Sequence, residues 1–181
     1  MPTPLSSISP RRAISRKPVW PLRPLVDLIW ASDAGRTAAS GIRERVLPSG
    51  AMHIVFRLGE TPLRLFKSID DRAGEVVGKA ILSGVRKQAY IKDISRPAAT
   101  LGILLRPGAC EPVAGVSAHE IGGQHVGLET VWRSAVLREI QETLEAATSL
   151  ETRLSLAEQF LLRHWSHLAA IDPMVNYALE R

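Results

Sequence analysis

The sequence predicts an α+β protein: an antiparallel β-barrel or sandwich followed by an antiparallel pair of amphipathic helices. Three observations carry this. Residues 24–107 contain short runs in which apolar and polar side chains alternate with a period of two. Turn-forming Pro, Gly, Asp and Ser punctuate these runs at short intervals. Residues 108–170 instead carry two apolar stripes at helical spacing.

The first 23 residues read as a disordered basic tail. Six of the twelve prolines lie at or before Pro24, among Ser6, Ser7, Ser9 and Ser15. No continuous apolar segment marks a secretory signal. The five basic residues Arg11, Arg12, Arg16, Lys17 and Arg23 precede the first acidic residue, Asp27, and supply the whole net charge of +5. From Asp27 onward 18 cations balance 18 carboxylates. The body is neutral, without the broad basic surface that phosphate neutralisation needs.

Within the β zone, Arg45-Val46-Leu47 and Ala51 to Leu58 flank Pro48-Ser49-Gly50, a turn signal that predicts a hairpin. In the second strand Met52, Ile54, Phe56 and Leu58 alternate with His53, Val55 and Arg57. Leu63 to Lys67 alternates again, and Asp70-Asp71 with Gly74 marks a loop. Glu75 to Leu82, Arg86 to Asp93 and Thr100 to Arg106 are three further strands. Two-sided alternation favours antiparallel pairing, since parallel strands are buried on both faces. Pro107 and Gly108 end the last strand at a strand-to-helix junction.

In the α zone Trp132, Val136, Leu137, Ile140 and Leu144 form one stripe. Leu150, Leu154, Ala157, Leu161, Trp165 and Leu168 form the second. Thr148 and Glu151 have capping-box spacing at the start of the second helix. The shared apolar face packs on the sheet, on the other helix, or on a second copy of the chain. Leu150, Leu154, Leu161 and Trp165 are the residues expected to carry this helix packing or dimerisation. At the end, Asp172 and Pro173 open a new helix over residues 172–181, with no stop signal after it.

Chemistry-bearing motifs are sparse. The sequence has no nucleophile elbow, glycine-rich phosphate loop or HExxH pair. Cys110 stands alone, which excludes an internal disulfide and fits a reducing, cytoplasmic setting. His164 and His167 have i, i+3 spacing, but no third ligand is fixed, so a solvated helix face competes with a metal site. His119 and His125 flank Gly122-Gly123 and read as loop polarity. His53, Val55 and Arg57 share the mixed face of one strand. If that face lines a barrel, they form a pocket for an anionic or polar ligand; otherwise the face is solvated. One histidine in the β zone is too few for a metal-dependent cupin enzyme. No cofactor, metal or catalytic residue is therefore expected.

Several segments resemble, in order, the N-terminal half of AraC-type bacterial transcriptional regulators. Pro21 to Trp30 is similar to the opening of that domain. Arg45-Val46-Leu47-Pro48-Ser49-Gly50 resembles its R-V-L-P-D-G hairpin, and Leu101 to Gly108 its G-V-R-F-R-P-G junction. Leu128 to Trp132 and Thr152 to Leu162 resemble its helical motifs, and Asp172-Pro173 the start of its DNA-binding domain. The resemblance implies a cupin-like sensor that binds a small-molecule effector and forms a homodimer. Promoter DNA would be contacted only through helix-turn-helix units that these 181 residues do not contain, and no membrane is involved. Ser49 stands where relatives usually carry Asp, and His53 where an acidic residue is common, which implies a ligand that differs or is absent. The competing expectations are a free-standing cupin-like binding protein and a small cupin enzyme using His53.

Overall fold

The computed structural model describes residues 12–35 and 41–165, together with 174, 177 and 178. Among these residues it is an α+β protein with two antiparallel sheets. The first sheet runs β1 (Ala13–Arg16), β2 (Val26–Ser32), β9 (Ala99–Leu105), β4 (Met52–Leu58), β7 (Ala80–Ser83) and β10 (His125–Gly127). The second runs β3 (Arg43–Val46), β8 (Tyr90–Asp93), β5 (Leu63–Phe66) and β6 (Glu75–Gly78). The α-helices α1 (Cys110–Ala114), α2 (Ser134–Glu145) and α3 (Leu150–Trp165) accompany the sheets. None is long and apolar enough to cross a membrane.

The period of two in β4 sorts its side chains. Met52, Ile54, Phe56 and Leu58 are buried, while His53, Val55 and Arg57 are half-buried. Cross-strand partners share a face. Ile54 therefore lies beside Ile103 of β9 and Leu82 of β7, and Phe56 beside Leu101 and Ala80. The helices cover this apolar face: α3 packs on β2 and α2 on β4. Leu137, Ile140 and Leu144 of α2 join Leu150, Leu154, Ala157, Phe160 and Leu161 of α3 in one core. Trp132 bridges the layers. Its ring meets Phe56 at 6.3 Å and Trp165 at 5.9 Å, and its indole N–H donates to the Val113 carbonyl.

Several expected features are placed differently. The predicted hairpin does not form: β3 pairs with β8 and β4 with β7 and β9, so Pro48-Ser49-Gly50 carries the chain from one sheet to the other. The single strand expected over 75–82 is two strands in different sheets. The chain switches at Gly78, whose φ of 136° suits glycine. The strand expected from Arg86 begins only at Tyr90. The zone expected to be helical contains β10, which extends the first sheet beyond β7. Helix α3 is capped by Ser149 rather than Thr148: the Ser149 hydroxyl accepts the Thr152 N–H.

The tail expected through residue 23 carries regular structure from Ala13. Strand β1 pairs with β2, and Trp20–Leu22 forms a 3-10 turn. Arg16 is ion-paired to the buried Glu158 of α3, whose other oxygen accepts the Val19 N–H at 3.1 Å. This acid recruits a basic segment that composition alone assigns to solvent.

Leu150, Leu154, Leu161 and Trp165 are buried inside the chain, none exposed beyond 7%. They serve the helix packing expected of them, in the core shared with the first sheet. The helix expected from Asp172 and the partner histidine His167 lie outside the described residues, apart from Met174, Tyr177 and Ala178.

Candidate functional site

The face of the first sheet opposite the helices is mixed in character. Register places His53 of β4 and His125 of β10 on either side of Ser83 in β7. Antiparallel partners project together, so all three stand on one face. The second sheet meets this face where the Tyr90 ring lies edge-on to His125, centroids 4.6 Å apart. From the loop before β8, Arg86 reaches the same ring. Its guanidinium lies 4.9 Å from the Tyr90 centroid, and Nη2 is 2.6 Å from His125 Nδ1. Five side chains from five segments thus converge on one site.

Donor and acceptor roles follow from chemistry. Arginine has no acceptor, so Nδ1 of His125 accepts from Arg86 and carries no proton. The neutral ring then holds its hydrogen on Nε2, which donates to the Ser83 hydroxyl at 3.1 Å. Burial, reinforced by the Arg86 charge, pushes the His125 pKa down to about 4. Burial also lowers the pKa of His53, whose Nε2 lies 3.5 Å from the Ser49 hydroxyl. Burial raises the Tyr90 pKa. The site is therefore two neutral imidazoles, a phenol and a hydroxyl, facing one guanidinium.

The Ser83–His125 pair has the wrong tautomer for a nucleophile and its base. A catalytic serine donates to the imidazole, whose second nitrogen donates to a carboxylate. Here the serine accepts, and the second nitrogen faces a cation. Nor do the described residues contain a group of three His, Cys, Asp or Glu able to hold a metal ion. The arrangement is suited to hydrogen bonding and to charge recognition.

Arg86 also faces outward. Together with Tyr90 it lines an open cleft of about 1760 Å³ bounded by β3, β5, β8 and the loops at 67–75, 84–89 and 119–123. The Arg86 Nε is buried without a hydrogen-bond partner. An unsatisfied buried donor costs about 1–3 kcal/mol.

Of the three residues expected to bind, only His53 belongs to this cluster. Val55 stands between Ile81 and Gly102 on the same face. The Arg57 guanidinium turns away to the Thr61 and Arg96 carbonyls, where it secures loops. His125, expected as loop polarity, is the centre of the site, and Ser83, Arg86 and Tyr90 join it. His164 packs on Phe160 at 4.2 Å, with Nε2 3.6 Å from Glu139. Cys110 is buried with its thiol 3.2 Å from the Val116 carbonyl, and burial raises its pKa, which disfavours a reactive thiolate.

Residues 15–127 match the profile of the family described as Domain of unknown function (DUF6597). The chain belongs to this family. The DUF6597 span closes with β10, so it takes in His53, Ser83, Arg86, Tyr90 and His125 and leaves α2 and α3 outside. No curated protein matches the chain, and no solved structure matches it.

Proposed function

We propose that the chain is the effector-sensing unit of an AraC-type transcriptional regulator, with a cupin-like barrel that binds a small molecule in the cytoplasm. The observation that carries the reading is the convergence of His53, Ser83, Arg86, Tyr90 and His125 between the sheets, beside an open cleft. The ordered sequence resemblances supply the regulatory context. The unit works by binding and not by catalysis, because the His125 tautomer is set against serine activation. DNA recognition belongs to helix-turn-helix units outside these residues. Any self-association uses surfaces other than the buried stripe of α3.

The test joins the full 181-residue chain to a heterologous DNA-binding module and screens a metabolite library against a reporter. At least one compound should change both reporter output and the melting temperature of the chain. Arg86→Ala should remove both responses. If no compound alters either readout, the sensing reading is wrong.

A further inference from the structure

The cleft beside Arg86 is dominated by one sign of charge. Arg43 and Arg45 enter it from β3, Lys67 follows β5, and Arg86 and Lys87 come from the loop before β8. Two carboxylates, Asp71 and Glu75, oppose these five cations, leaving a net +3. Asp71 is already committed: its oxygens accept the backbone N–H groups of Lys67, Ala73 and Gly74. Arg43 is partly committed too, donating to the Ile69 carbonyl and lying 3.6 Å over the Phe66 ring. Arg45, Lys67, Arg86 and Lys87 take part in none of the ion pairs among the described residues.

A further feature narrows the occupant. The lining is also apolar, with Leu65, Phe66 and Ile91 among its residues and Ile69 and Val85 exposed. Cations and apolar side chains share one bounded cleft, which suits a compact anion with an apolar body.

We propose that the cleft binds a compact organic anion: a carboxylate or phosphate monoester with an alkyl or aryl body, its acid group held by Arg86 and the surrounding cations and its apolar body against Leu65, Phe66 and Ile91. Guanidinium–carboxylate and guanidinium–phosphate pairing gives the charge selectivity. The apolar body gives affinity through burial. Through the Arg86–His125 hydrogen bond the ligand is coupled to the buried imidazole pair. This rests on the sensing reading above, and the two fail differently.

The test is calorimetry and thermal shift on the full chain with decanoate and decyltrimethylammonium below their micelle concentrations and decanol below its solubility limit. Decanoate should bind with one site and weaken as salt is raised, and decanol should bind about tenfold or more weakly. The cation should not bind. Arg86→Met should weaken decanoate about tenfold or more. The exposed pair Arg45→Gln with Lys87→Gln should weaken it as well, and these surface changes leave the fold intact even if the Arg86 variant does not fold. Equal binding of decanol or of the ammonium probe overturns the anion claim while the sensing reading stands. Failure of all three probes overturns the anion claim, and silence across the metabolite library as well overturns both. Displacement of decanoate by duplex DNA would also overturn the compact-anion claim.

Discussion

The Arg86 guanidinium lies 2.6 Å from Nδ1 of His125, and this contact fixes which nitrogen of the imidazole carries its proton. In uniformly 15N-labelled protein at pH 7, His125 should show the Nε2–H tautomer in long-range 15N–1H spectra. Arg86→Met removes a donor and a repelling charge. His125 should then titrate closer to its ordinary value, and a mixture of tautomers should appear. An unchanged titration in that variant would remove Arg86 from the account of the shift.

The same depressed pKa makes stability depend on pH. Unfolded His125 binds a proton near its ordinary 6.5, whereas the folded ring resists protonation until about pH 4. Between those values the unfolded chain holds more protons, so stability is full above about 6.5 and falls as the pH drops toward 4. One proton corresponds to a slope of at most about 1.4 kcal/mol per pH unit. His53 adds in the same direction. Urea midpoints measured across that range should fall with acid, and His125→Gln should flatten the dependence.

Gly102 lies directly under Trp30. A Cβ at this position would stand 2.0 Å from the indole Cε2. Gly102→Ala should therefore destabilise by about 1–3 kcal/mol, a typical overpacking cost. Shortening the neighbour, as in Trp30→Leu with Gly102→Ala, should recover part of the loss. Denaturant titration of the single and double variants checks the coupling.

Leu154 separates packing from assembly. It is 2% exposed in the core between the helices and the first sheet. Leu154→Ala should cost about 2–5 kcal/mol. Light scattering on the folded variant should give the same mass as the parent. A change of mass without loss of stability would return this stripe to a dimer contact.

Arg16 and Glu158 form a third pair. Glu158 is 7% exposed at its side chain and Arg16 is 42% exposed, so the pair is only partly shielded from water. Arg16→Ala leaves the carboxylate with the Val19 N–H as its remaining backbone donor and should cost about 1–2 kcal/mol, less than a fully buried pair. A double-mutant cycle with Glu158→Gln should show coupling, and strict additivity would contradict the pairing.

The parts of this fold that could be read from sequence are those with a strong local period. Strand β4 and the stripes of α2 and α3 have one, and their buried residues follow it. Pro48-Ser49-Gly50 marks a change of direction but not the partner, and the flanking strands join different sheets. His125 was hidden for the same reason. A three-residue strand next to glycines has no readable period, and only pairing with Ser83 brings it to His53. Arg57 misleads in the opposite way. Alternation places it with His53, but its length lets it reach the Thr61 and Arg96 carbonyls instead.

Strand β1 has a consequence for colloidal behaviour. It occupies one margin of the six-stranded sheet, and Arg16 fastens it to α3. Behind it lies β2, with the largely apolar run Val26–Ser32. Were β1 to peel away, β2 would present a row of unpaired backbone donors and acceptors, a template on which another chain can add. The Arg16–Glu158 contact thus helps keep the edge of β2 covered.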